Sequence, residues 1–114
     1  MARTWEVIIL GPADRDILEI VAYLAEYESL DIADKILNRI EETINGLSRF
    51  PDRGRIPPEL EKQSHTFREI QIWPYRVIYE VELQQNRVSV HIVIDGRRNA
   101  QSVMEERLLR TSHF

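Results

Sequence analysis

The side chains able to do chemistry in this 114-residue chain are arginines and carboxylates, with little else beside them. Thirteen of the fifteen basic residues are arginine, whose planar guanidinium presents a fork of donors that grips carboxylate or phosphate at two points. The most concentrated set lies in the C-terminal half: Glu69, Arg76 and His91, followed by Arg97 and Arg98. Such a set could hold an anion and move a proton. It could equally consist of cross-strand polar pairs on a solvated sheet surface, each contributing about 0.2–1 kcal/mol. Cysteine is absent, so thiol catalysis, disulfides and cysteine-ligated metals are excluded. The three histidines, His65, His91 and His113, show no metal-ligand spacing, and no metal or cofactor is expected.

The net charge of −4 argues against a general nucleic-acid coat, which works by neutralising phosphates. Residues 1–66 carry 8 basic and 13 acidic side chains, net −5, and residues 67–114 carry 7 and 6, net +1. An anion-binding surface therefore belongs to the second half. No run approaches the roughly 18 apolar residues of a membrane span, and the first ten residues lack the pattern of a signal peptide, so a cytoplasmic, membrane-free protein is expected.

These residues must be held by elements that the spacing of apolar positions predicts. Trp5 to Leu10 reads as a strand, and Gly11-Pro12 opens a helix with Ala13, Ile17, Ile20, Val21 and Leu24 on one face. A second helix, capped by Ser29 or Asp31, repeats Leu30, Ala33, Ile36, Leu37, Ile40, Ile44 and Leu47 at intervals of three and four, and is expected to be the longest element. Phe50-Pro51 stops it. Beyond Thr66 the period falls to two, giving strands over Phe67–Trp73, Tyr75–Leu83 and Arg87–Asp95 joined by short turns, hence antiparallel neighbours. Alternation assigns Ile70, Ile72, Val77, Tyr79, Val81, Val88, Val90, Ile92 and Ile94 to the core face. Glu69, Gln71, Arg76, Glu80, Ser89 and His91 then fall on the opposite, solvent-facing side. Ser102-Val103-Met104-Glu105 matches a capping box and opens a short helix, about 101–110, with Val103, Met104, Leu108 and Leu109 on its apolar side. The expected architecture is α+β, one domain over 1–114, with an N-terminal strand, a two-helix hairpin packed on an antiparallel sheet, and a short C-terminal helix.

Three segments of this pattern resemble the RelE/ParE toxin family of type II toxin–antitoxin systems, and its ParE branch in particular. They are the Phe50-Pro51-Asp52-Arg53-Gly54-Arg55 break, the Arg68-Glu69-Ile70 and Tyr75-Arg76-Val77-Ile78-Tyr79 strand pair, and the Val93-Ile94-Asp95-Gly96-Arg97-Arg98 ending. The resemblance implies growth arrest held in check by a cognate antitoxin, through one of two mechanisms. Some members cleave mRNA on the ribosome, and ParE-like members poison DNA gyrase without known hydrolytic chemistry.

Carried onto this chain residue by residue, the ribonuclease pattern is incomplete. Arg76 and Arg98 (or Arg97) match its arginines, but Glu69 and Gln71 stand where paired lysines are expected, and Met104 stands near the position of a C-terminal tyrosine. Glu69 with Arg76 imitates part of a second ribonuclease pattern whose histidine has no counterpart here, since His91 is mid-strand and His113 in the tail. The first reading is therefore a gyrase-binding toxin without turnover, with Arg97, Arg98, Arg76, Leu108 and Arg110 as target or partner contacts. The alternative is a ribosome-dependent mRNA endoribonuclease using Arg76 and Arg98 with Glu69 or His91; an inactive toxin-fold binding module is a third. The antitoxin is expected to be acidic or of mixed charge, to fold on contact, to cover apolar helix surface and to add a strand to an open sheet edge. If Arg76 faces solvent, Arg76→Ala should cost little stability.

Overall fold

The computed structural model describes residues 4–63 and 66–109. Strand β1 (Glu6–Ile9) runs directly into helix α1 (Gly11–Tyr27), with Pro12 in the first turn, where its missing N–H costs nothing. Helix α2 (Leu30–Gly46) follows after a two-residue break, and the Ser29 side chain accepts from the Ile32 N–H at 3.0 Å as its cap. Both helices have 17 residues, so α2 is not the longer of the two: Glu26 and Tyr27 continue α1, and the turn at Leu47 ends α2 before Phe50-Pro51. Strands β2 (Phe67–Ile72), β3 (Tyr75–Glu82) and β4 (Arg87–Asp95) come next. The chain closes on α3 (Ala100–Met104), which widens into a π-helical turn over Glu105–Leu109.

The sheet has the order β1-β4-β3-β2. The three later strands are antiparallel as expected, and β1 joins the far edge parallel to β4, with Glu6 opposite Arg87 and Ile9 opposite Val90. The helical hairpin covers one face. Ala13 and Ile17 of α1, Ile40 and Ile44 of α2, and Ile72, Val77, Tyr79, Val88 and Val90 of the sheet form its core.

Two expectations about β4 are corrected here. Its register against β3 shifts between Ile78 and Tyr79: Ile78 pairs with Ile92 while Tyr79 pairs with Val90, leaving His91 as an extra residue. Such a bulge reverses the alternation beyond it. Val93, not Ile92 and Ile94, therefore packs under the hairpin, and Ile92 and Ile94 turn to the other face. That other face is not solvated. Leu60 from a short 3-10 turn (Pro58–Leu60), Ile78, Ile92 and Ile94 from the sheet, and Ala100, Met104 and Leu108 from the C-terminal helix make a second core. Burying aliphatic side chains of this size contributes about 1.5–3 kcal/mol each. It holds in place a helix far too short to stand alone. Its cap also differs from the expected one: Asn99 Oδ1, not Ser102, accepts from the Ser102 N–H at 3.2 Å, and the helix begins at Ala100.

Because β1 ends at Ile9, the edge of β4 away from β3 has no strand beside it beyond Val90. Side chains take over. Asp16 of α1 accepts from the Val93 N–H at 3.0 Å, and the Arg107 guanidinium donates to the His91 carbonyl at 2.7 Å and to both Asp16 oxygens at 3.0 and 2.8 Å. One acid and one arginine thus tie α1, the open edge of β4 and the C-terminal helix together. Asp16→Ala should lower stability by about 1–3 kcal/mol, the cost of leaving a part-buried donor and its arginine unpaired. Urea unfolding and faster hydrogen exchange at the Val93 amide would show it, and unchanged values would mean that the tie carries no weight.

Candidate functional site

The residues singled out by type meet where β2 and β3 pass the 3-10 turn. Gln71 lies opposite Arg76 and Glu69 opposite Ile78, so Glu69 and Arg76 are diagonal neighbours on the second face. The Arg76 Nε donates to Glu69 Oε2 at 2.6 Å, and its Nη2 also pairs with that oxygen. Its two terminal nitrogens donate to both oxygens of Glu59, each at 2.8 Å. The second oxygen of Glu69 accepts from Arg55 Nε at 2.7 Å. Both carboxylates are fully taken up, and the guanidinium is filled from two sides.

Arg76 is not the solvent-facing residue expected from the sequence: its side chain is 10% exposed and that of Glu69 0%. The alternation correctly put both opposite the hairpin, but that side is roofed by Leu60, the C-terminal helix and the 54–60 segment, which sequence periodicity in the strands cannot reveal. Glu59, which completes the cluster, was missed because it sits in an irregular connection; the only available signal was a carboxylate next to Pro57-Pro58.

Two glycines make the arrangement possible. A Cβ on Gly96 would lie 2.9 Å from Arg76 Cδ, so the arginine stem lies across that backbone. A Cβ on Gly54 would lie 2.5 Å from the Glu69 carbonyl oxygen and 2.6 Å from Tyr79 Oη. Tyr79 is wholly buried, and its Oη accepts from the Gly54 N–H at 3.0 Å. Arg55 and Glu69 also exchange two backbone hydrogen bonds, at 3.0 and 2.7 Å, which lays the 54–55 segment along β2. Burial pushes the Tyr79 and Tyr75 phenols above their ordinary values. The Arg76 hydrogen bonds hold the Glu59 carboxyl below the usual range, and Arg76 itself is raised, foremost by Glu59 and then by Glu69.

The other candidates are scattered. His91 lies about 10 Å along β4 from Ile94, the residue opposite Arg76, at roughly 3.3 Å per residue. Its Nε2 sits 3.2 Å from Glu80, its ring meets Phe67 edge-on at 5.2 Å, and burial lowers its pKa while Glu80 pulls the other way. Arg97 is folded back onto Asp95 at 3.0 and 2.7 Å, which holds the Asp95 carboxyl below its ordinary value. Arg98 is exposed and, among the described residues, has no ion pair. Leu108 is buried in the second core, and Arg110 lies outside the described residues, as do His65 and His113. Missed entirely by sequence was Arg107, the clamp on Asp16; its spacing from Asp16 of 91 residues gives no local signal. Beside the cluster a cleft of about 140 Å³ opens between Arg55, Glu59, Gln71, Trp73, Arg76 and Gly96.

The cluster's weight can be measured. Arg76→Ala should destabilise by about 3 kcal/mol or more, because it leaves the buried Glu69 short of a partner. Since Glu59 is depressed in the folded state, its contribution is complete above the ordinary carboxylate range and is lost as pH falls through the lowered value. The melting temperature should therefore drop with acidification below about pH 4.5, and less steeply in Glu59→Gln. Equal pH slopes would show the pairing to be unimportant.

Residues 7–100 match the family described as the ParE toxin of the type II toxin–antitoxin system, parDE. The chain is 31% identical over 93 residues to Toxin ParE3 of Caulobacter vibrioides, covering 82% of this chain and 88% of that protein. Its fold is similar to a chain of the RelBE2 toxin–antitoxin complex of Mycobacterium tuberculosis, with a TM-score of 0.63 at 20% identity, over 83% of this chain and 94% of that one. It is likewise similar to a chain of the chromosomal ParDE system of P. aeruginosa, with a TM-score of 0.65 at 15% identity, over 82% and 97%. A ParE-family match across 94 of 114 residues, on a hairpin-over-sheet fold shared with toxin–antitoxin complexes, makes this chain a member of the RelE/ParE family of type II toxins.

Proposed function

We propose that the chain arrests growth by binding DNA gyrase in the cytoplasm, without turnover, and that an antitoxin restrains it. The observation that carries this reading is the saturation of Arg76. Phosphodiester cleavage needs a cation free to meet the developing charge on phosphate and a group free to move a proton. Arg76 already serves two carboxylates, and both oxygens of Glu69 are occupied by Arg76 and Arg55. A phosphate entering there would have to displace Glu59 and would meet the negative charge of Glu69. His91 stands three residues along β4 from the position opposite Arg76, next to Glu80. What would serve catalysis is used to fasten the 54–60 segment to the sheet. The similarity to ParE proteins supports the same branch. No helix among the described residues is long and apolar enough to cross a membrane.

The gyrase contact is assigned to the β4–α3 corner. Arg98 offers a guanidinium there that has no ion pair among the described residues, and Arg97 stands beside it with Asp95 as a partner that it can exchange. Neither arginine packs against the core. Purified chain should inhibit supercoiling by gyrase, and Arg97→Ala with Arg98→Ala should abolish that inhibition with the melting temperature nearly unchanged. Cleavage of mRNA on translating ribosomes with supercoiling untouched would overturn the proposal.

A further inference from the structure

The helical hairpin carries a surface whose chemistry neither the two cores nor the Arg76 cluster uses. From Gly11 to Gly46 the chain carries nine acidic and three basic side chains, net −6, whereas the rest of it carries ten and twelve. Of the nine, Asp16 is consumed by Arg107 and Asp31 pairs with Lys35 on the surface. The same unit holds a group of exposed large apolar residues: Leu18, Tyr23, Tyr27, Leu30 and Ile32. Tyr23 and Tyr27 lie one turn apart on α1, 61% and 64% exposed, with ring centroids 4.8 Å apart and planes tilted by 40°. Glu19, Glu26 and Glu28 stand exposed around them, and Leu30 extends the apolar surface across the turn.

Exposed tyrosine faces attract cations, and arginine most often among them. A ring of carboxylates adds a field that favours a positive partner and rejects a negative one. Paired aromatics beside carboxylates are also the kind of surface on which arginine anchors concentrate binding energy. We infer that the Tyr23–Tyr27 face of α1 docks a cationic, arginine-bearing segment of the antitoxin, in place of the acidic or mixed-charge segment expected from the sequence. The inference rests on the reading of the chain as the toxin half of a pair.

The test uses the full-length chain and its cognate antitoxin, with affinity measured by titration calorimetry at two salt concentrations. Tyr23→Ala with Tyr27→Ala should weaken binding tenfold or more. Glu19→Lys with Glu26→Lys should weaken it and flatten its salt dependence. All four positions are exposed, so thermal melts should stay near that of the parent chain. A complex that forms and neutralises the toxin with affinity unmoved by both pairs of changes would overturn this inference and leave the functional reading standing. A chain that self-associates through the tyrosines, losing its dimer in Tyr23→Ala with Tyr27→Ala, would overturn it in favour of a second copy. If the parent chain forms no complex with the antitoxin at all, the toxin–antitoxin reading fails and this one falls with it.

Discussion

The structure turns on one buried arginine. Arg76 lies with its stem across Gly96 and a carboxylate on each side, Glu69 on the neighbouring strand and Glu59 in the connection ahead of it. A charge so placed is tolerable only when every donor has a partner, because an unpaired ion in a low-dielectric interior costs several kcal/mol. That demand sets the path of residues 54–60 together with the Arg55–Glu69 backbone pairing and the 3-10 turn. It also dictates small residues where the arginine stem and the β2 backbone come close, which Gly96 and Gly54 provide.

From this follows how both ends of a four-stranded sheet are kept from pairing freely. On the β2 side, the segment through Arg55 borrows the Glu69 backbone and shields part of the edge. On the β4 side, β1 covers only the first half, and Asp16 with Arg107 covers backbone groups of the second. Edges left bare invite strand addition by other chains. The bulge at His91 belongs to the same solution. By reversing the alternation it sends Ile92 and Ile94 to the second face, where they give the C-terminal helix an apolar floor.

Much of this was legible from spacing. The 3.6-residue period gave α1 and α2 with their buried stripes, and the two-residue period gave β2, β3 and β4 to within a residue. What escaped were features with no periodic signature. A single extra residue in β4 cannot be seen in a run such as Val88 to Ile94, where every residue except Ser89 and His91 is β-branched and apolar. The burial of Arg76 depends on what lies above it, and a residue's parity says which face it takes without saying whether that face is covered. Glu59 and Arg107 reach their partners across 17 and 91 positions. The grouping of Glu69 with Arg76 was readable, but the role of that pair was not, since the same two residues could serve a phosphate or each other.

On the proposed function the Arg76–Glu69 cluster is a fastening, and the target is met at the surface. Replacing a buried ion pair by neutral groups of similar shape is often tolerated or even stabilising, so the pair can be removed without unfolding the chain. The most direct measurement is growth arrest on induction of Arg76→Met with Glu69→Gln, a variant whose folding is checked by its melting transition. The account predicts a folded protein that still arrests growth and still yields to its antitoxin. A folded variant that no longer harms the cell would contradict it and return Arg76 and Glu69 to a catalytic role.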